Sequence, residues 1–343
     1  MSKVKYKIAA GTNVGLVRQN NEDNFVVCPD LVTSQWLIPQ VGEFADMGEL
    51  GALLVVADGM GGANAGEVAS AIAVDTIQEL FRPEKLKDVI ADDKTIQEFM
   101  KDAVKQADIN ILEKSQKDES TKGMGTTIVM AWIIEKRAYV CWCGDSRCYL
   151  FNPKTKNVKR LSKDHSYVQE LVDRGELRPE EASSHPYSNV ITRCLGSADN
   201  RANPDTRIFE LHNNDCIMLC SDGLSGLCED LEIADVMTEH FDNPTECKDE
   251  LISHALNAGG HDNVTVAMCR LTIEGEEEEL KEDEVNEEHE EADTQVNVGD
   301  ETINTIKIKG KKSSKAKIFI WIVFILALLA ACAYFYLTRI TPQ

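Results

Sequence analysis

Four aspartates stand at or beside the ends of apolar runs. Asp58 follows Leu53-Leu54-Val55-Val56-Ala57, and Asp145 follows Tyr139-Val140-Cys141-Trp142-Cys143-Gly144. Asp222 follows Ile217-Met218-Leu219-Cys220-Ser221, and Asp262 shortly precedes Val264-Thr265-Val266-Ala267-Met268. Runs of this length suit buried strands, so the pattern predicts carboxylates delivered to one common sheet edge. Negative oxygens clustered on a rigid edge repel unless something positive sits among them. A hard divalent cation such as Mg2+ or Mn2+ is the natural resident, which points to metal-dependent hydrolysis.

Other chemistries lack their residues. Gly61 to Gly66 reads GGANAG, but Glu67 and Val68 follow where a phosphate loop needs Lys and Ser or Thr. No G-x-S-x-G elbow and no HExxH pair occur. Cys141 and Cys143 flank Trp142 on one strand face, without the paired CxxC of a zinc site. Several of the 11 cysteines lie in apolar runs and read as small hydrophobes in a reducing compartment, so disulfides are not expected.

The elements that must position the aspartates follow from periodicity. Residues 5–10, 24–28, 52–57, 126–134 and 137–143 read as strands. Residues 67–81 put Val68, Ile72, Ile77, Leu80 and Phe81 on one helix side, and residues 94–112 do so with Ile96, Met100, Val104 and Ile111. Long helices between groups of consecutive strands, several hairpin-like, predict an α+β layered fold rather than a doubly wound parallel sheet.

Each aspartate sits in a short motif: Asp58-Gly59-Met60-Gly61-Gly62, Gly144-Asp145-Ser146-Arg147, Ser221-Asp222-Gly223-Leu224 and Gly260-His261-Asp262-Asn263. Arg18-Gln19-Asn20-Asn21-Glu22-Asp23-Asn24 and Gly123-Met124-Gly125-Thr126-Thr127 complete the series. Over roughly residues 5–272 this order of motifs resembles the metal-dependent protein phosphatases of the 2C type (the PPM family), particularly bacterial members. The resemblance implies a four-layer α-β-β-α sandwich with two central antiparallel sheets. It also implies a protein serine/threonine phosphatase with two core Mn2+ or Mg2+ ions and a third, weaker one.

By that resemblance Asp58 bridges the two core ions, the Gly59 carbonyl binds one, and Asp222 and Asp262 bind the other. Asp145 helps hold the third ion, Arg18 binds the phosphate, and Glu22 and Asp23 orient waters around the metals. Asn263 is expected to fix the Asp262 loop. A metal-activated water then attacks phosphorus in line, without a phosphoenzyme. One departure is Met60, where animal members carry a histidine proposed as general acid; a thioether cannot donate a proton. His165 is expected to be structural, and residues 166–200 correspond to the family's mobile flap, where Arg193 pairs with an acid. A non-catalytic binding protein on the same fold and a hydrolase of small phosphate esters are the alternatives.

The formal net charge of −22 is concentrated: residues 274–293 hold 13 acids against one lysine. The preceding residues carry no basic stripe, so no nucleic-acid partner is expected. The 43% apolar content suffices for a large core over residues 1–273. Residues 274–317 read as a disordered tether, acidic then basic. Residues 318–337 contain no charge for 20 positions and should form a transmembrane helix, leaving a short tail at 338–343. Lys307, Lys309, Lys311, Lys312, Lys315 and Lys317 precede it and only Arg339 follows, which predicts a cytoplasmic head. No secretion signal is expected at Met1 to Tyr6. Expected partners are phosphoserine and phosphothreonine proteins, including a serine/threonine kinase at the same membrane.

Overall fold

The computed structural model describes residues 4–36, 45–61, 65–198 and 201–274. Its strands are β1 (Val4–Asn13), β2 (Asp23–Cys28), β3 (Ala45–Asp46), β4 (Ala52–Met60), β5 (Gly125–Thr126), β6 (Ile128–Ile134), β7 (Arg137–Cys143), β8 (Arg147–Asn152), β9 (Asn157–Arg160), β10 (Asp205–Glu210), β11 (Cys216–Cys220) and β12 (Val264–Ile273). The helices are α1 (Ala65–Leu80), α2 (Pro83–Leu86), α3 (Asp93–Lys117), α4 (Tyr167–Asp173), α5 (Asp222–Ser225), α6 (Asp230–Glu239) and α7 (Pro244–Asn257).

Two antiparallel sheets form the centre, one ordered β3-β1-β12-β11-β8-β9 and the other β10-β7-β6-β4-β2, with β5 paired to β4. Side chains alternate along a strand, and β4 shows the consequence. Leu53, Val55 and Ala57 join a core with α1 and α3, while Ala52, Leu54 and Val56 join the core between the sheets. A third core, with Phe151, Met218 and Val266, lies between the first sheet and residues Ile233 and Leu251 of α6 and α7. Three cores separate four layers, the α-β-β-α sandwich expected. A strand buried on both faces has no polar alternation, which is why these runs are uniformly apolar.

The expected face of α1 needs correction. Of the expected residues Ile77 and Phe81 are buried, but Val68, Ile72 and Leu80 only partly pack against that core, and Ala69, Ala73 and Val74 are among the residues buried there instead. Helix and sheet approach closely here, since a Cβ on Gly66 would lie 2.8 Å from the Gly59 carbonyl carbon. Small side chains therefore line the contact and the larger ones flank it. On α3 the expected Ile96, Met100, Val104 and Ile111 are all buried. Strand β4 also continues past residue 57, so Asp58 lies inside it, opposite Asp23 of β2. Residues 275–317, the expected span at 318–337 and the tail at 338–343 lie outside the described residues. Among the described residues no helix is long and apolar enough to cross a membrane.

Candidate active site

The predicted aspartates meet because the strands carrying them end together. Asp58 sits near the end of β4, Asp145 two residues beyond β7, Asp222 two beyond β11, and Asp262 two before β12. Close backbone approach completes the assembly. A Cβ on Gly223 would stand 1.9 Å from the Asn263 carbonyl oxygen, so only glycine lets the Asp222 turn lie against the Asp262 turn. At Gly59 a Cβ would meet the Gly66 carbonyl oxygen at 2.2 Å and that of Glu22 at 2.6 Å. Gly59 also donates its N–H to Glu22 (3.1 Å), which joins β4 to the loop after Arg18.

Polar side chains lock these positions. Thr126 Oγ1 donates to the Asp58 carbonyl (2.9 Å), the Thr127 N–H donates to the same oxygen (2.8 Å), and the Asp58 N–H donates to Thr127 Oγ1 (3.2 Å). Thr127 Oγ1 lies 2.7 Å from Ser146 Oγ, beside Asp145. Asp23 ties the sheets together: its Oδ2 accepts from Ser221 Oγ (2.7 Å) and Thr265 Oγ1 (2.6 Å). Asn263 does fix its loop, donating from Nδ2 to the Val14 and Asn20 carbonyls and accepting the Glu22 N–H at Oδ1. Arg18 Nη2 donates to Asp262 Oδ2 at 2.6 Å.

The electrostatics are those of negative charges crowded together. Burial, then Asp23, Asp222 and Asp145, push the Asp58 carboxyl well above its ordinary range. Burial pushes Asp145 up to about 8, with Asp222 adding to it. Asp23 rises to about 7 through burial, against the two hydroxyl donors that favour its ionised form. Asp222 and Glu22 are also raised, burial being the first cause in each. The Asp58 and Asp222 carboxyls lie within hydrogen-bonding reach of each other, so each feels the other's protonation.

The residues fit a cation. The buried Oδ1 atoms of Asp23 and Asp145 have no hydrogen-bond partner, a costly arrangement for carboxylates unless a positive charge compensates it. Asp58, Asp222 and Asp262 are partly exposed, so a ligand can reach them. Among the described residues no three His, Cys, Asp or Glu side chains form a preformed cage. A cation placed among Asp58, Asp222 and Asp262 would favour their ionised forms, because carboxylates bind metals deprotonated.

Three contributors were not singled out as site residues from sequence. Arg147, largely buried, forks onto Asp164 (Nε to Oδ1 3.0 Å, Nη2 to Oδ2 2.7 Å) and its charge acts to lower the pKa of Asp145 and Asp222 against the effect of burial. Thr127 braces Asp58 as described. His165 clasps Gly144 twice: its N–H donates to the Gly144 carbonyl (2.9 Å) and its Nδ1 accepts the Gly144 N–H (3.1 Å). Nε2 therefore carries the ring proton, facing Asp205 Oδ2 at 3.1 Å. Removal from water lowers the His165 pKa and keeps the ring neutral. The structural role expected of His165 is thus specific, for it anchors the turn bearing Asp145. Arg193 pairs with Asp205 at 3.5 Å, and His261 is exposed. The signals for these partners were the motifs Gly144-Asp145-Ser146-Arg147 and Gly123-Met124-Gly125-Thr126-Thr127 and, for His165, the run Lys163-Asp164-His165. A cavity of about 1130 Å³ lined by Lys94, Arg137, Tyr139 and Glu210 lies at the opposite strand ends, away from this chemistry.

Replacing Arg18 with lysine should raise KM for a phosphopeptide roughly tenfold, since a point charge replaces a planar two-pronged donor. An unchanged KM would remove Arg18 from phosphate binding.

A family model described as Protein phosphatase 2C matches residues 44–258. The chain is 36% identical over 226 residues to the protein phosphatase PhpP of Streptococcus pneumoniae, covering 66% of this chain and 88% of that one. Among solved structures it resembles the S. agalactiae serine/threonine phosphatase, with a TM-score of 0.66 and 30% identity over 77% of this chain and 98% of that one. It also resembles the catalytic domain of the serine/threonine protein phosphatase PstP in complex with two manganese ions, with a TM-score of 0.62 and 30% identity over 78% and 99% of the chains. Shared sequence across most of the head and shared sandwich architecture coincide with the strand-end carboxylates, and the chain belongs to the protein phosphatase 2C family.

Proposed function

We propose that this chain is a metal-dependent protein serine/threonine phosphatase tethered to a membrane with its head in the cytoplasm. The observation that carries the catalytic reading is geometric: Asp58 stands opposite Asp23, the Asp222 turn lies against the Asp262 turn, and the buried Oδ1 atoms of Asp23 and Asp145 have no hydrogen-bond partner. Asp58, the Gly59 carbonyl, Asp222 and Asp262 would hold a core pair of Mn2+ or Mg2+ ions, with Asp145 toward a third. When bound, such a pair neutralises charge on the phosphoryl oxygens and lowers the pKa of a coordinated water.

The chain's own residues supply position and selectivity. Arg18, held by Asp262, presents a guanidinium whose fork matches two phosphoryl oxygens. Glu22 accepts backbone and hydroxyl donors at its carbonyl from Gly59 and Ser70, which holds its carboxylate beside Arg18 and Asp262. Asp23, fixed by Ser221 and Thr265, holds an unpartnered buried oxygen opposite Asp58 and would orient water around the ions. Met60 offers no proton to the leaving alkoxide, so a group other than residue 60 must supply it.

The decisive experiment is phosphopeptide hydrolysis by the full chain with EDTA and then with Mn2+ or Mg2+ restored. Activity should vanish with chelation and return with the metal. Faster turnover of nucleotides or sugar phosphates than of phosphopeptides would favour a small-ester hydrolase, and metal binding without any turnover would favour a non-catalytic binding protein.

The membrane part of the proposal rests on the uncharged stretch at 318–337 and its lysine-rich N-terminal flank. A phosphorylated kinase on the same membrane is the fitting partner, because confinement to one surface raises effective concentration. Truncation after residue 272 should preserve activity on soluble phosphopeptide and lower potency on a bilayer-anchored phosphoprotein by on the order of 10²-fold. Equal potency of both forms would refute the tether's role.

A further inference from the structure

Exposed apolar side chains are informative when they gather beside a site. Among the described residues eight large apolar side chains are exposed, and six of them lie in two segments bordering the carboxylates. Val14, Leu16 and Val17 precede Arg18, while Tyr167, Tyr187 and Val190 belong to the flap.

The first segment is firmly held. Its backbone accepts from Asn263 at Val14 (2.9 Å) and Asn20 (3.0 Å), and the Leu16 N–H donates to the Gly260 carbonyl (2.7 Å). The Gly15 N–H is taken by Asn13 Oδ1 (2.9 Å). Yet Leu16 and Val17 remain 67% and 63% exposed. Fixed backbone with aliphatic side chains turned to water lowers the ordering cost of binding an apolar partner. The flap borders the other side, hung from Gly144 through His165 and from Thr126 through Leu195, with Tyr167 and Tyr187 packed edge to face at 6.0 Å.

We propose that Leu16 and Val17 form a subsite for an aliphatic side chain of the substrate polypeptide close to its phosphorylated residue. This rests on the phosphatase reading and names the sequence context it selects. The occupant follows from continuity with the site. Val17 adjoins Arg18, and an extended peptide advances about 3.3 Å per residue, so a phosphate at Arg18 brings a side chain one or two positions away against this pair. An acidic neighbour is disfavoured, because Asp262 and Glu22 already place negative charge beside Arg18, the residue that adjoins Val17.

The test uses the full chain with Mn2+ and two phosphothreonine peptides that differ only in leucine or glutamate beside the phosphoresidue. Wild type should favour the leucine peptide roughly tenfold or more in kcat/KM, the scale of a small hydrophobic contact. Leu16→Ser and Val17→Ser should each shrink that ratio through KM, with the melting temperature and the turnover of p-nitrophenyl phosphate unchanged. Equal rates on the two peptides, or a ratio that survives both serine substitutions, overturns the subsite and leaves the phosphatase reading intact. Absence of turnover on either peptide overturns the phosphatase reading and the subsite with it.

Discussion

Asp58→Asn is expected to lower Mn2+-dependent phosphopeptide turnover by about 10³-fold or more, the rate equivalent of several kcal/mol of lost charge stabilisation. The same substitution should leave the fold intact and raise the melting temperature of the metal-free protein. Both effects have one cause. The Asp58 carboxyl is largely shielded from water and faces Asp23, Asp222 and Asp145, so ionising it without a cation is costly. Asparagine keeps the shape, can donate a hydrogen bond to Asp222, and carries no charge. Turnover assays paired with calorimetry in EDTA check this. Retained turnover would exclude Asp58 from the metal site, and a large fall in metal-free stability would make its role structural.

The second large effect is a pH dependence of stability that metal should reverse. Asp23 and Asp145 rise from an ordinary value of 3.8 to about 7 and about 8, and Asp58 and Asp222 move the same way. A carboxyl whose pKa is higher in the folded state binds its proton more tightly there. Its contribution to stability is therefore complete below 3.8 and is lost as pH rises through about 7 to 8. The EDTA-treated protein should thus melt at progressively lower temperature from about pH 5 to about pH 8, between the unfolded and folded pKa values. Mn2+ binds the ionised carboxylates, so the melting-temperature gain it gives should widen over the same range. A metal-free melting temperature that is flat or rising across that interval would contradict the clustered charges.

Much of this architecture was legible because burial leaves a local trace. Residues 52–57 and 138–143 are uniformly apolar since those stretches are covered on both faces, and that signal needs no knowledge of the covering partner. The face of α1 was read off-centre for the opposite reason. Hydropathy weights Val68, Ile72 and Leu80 heavily, whereas the close approach at Gly59 and Gly66 selects Ala69 and Ala73 for their size. Strand β4 running on through Asp58 was likewise hidden, because a charged residue breaks the apolar pattern even where pairing with Asp23 continues.

The sequence by itself determined which groups can do chemistry here: acids at strand ends, a lone arginine before the Asn-Glu-Asp run, and no nucleophile motif to compete with them. It also set the charge division between head and tether. The tertiary structure alone decided which oxygens meet. Asp23 is bonded by Ser221 and Thr265, 198 and 242 residues away, and Arg18 by Asp262, 244 residues away. Such pairings depend on sheet register and on how closely two turns approach at Gly223, quantities that no local pattern of hydrophobicity encodes. Periodicity records whether a residue is buried, and packing across the two sheets determines what it is buried against.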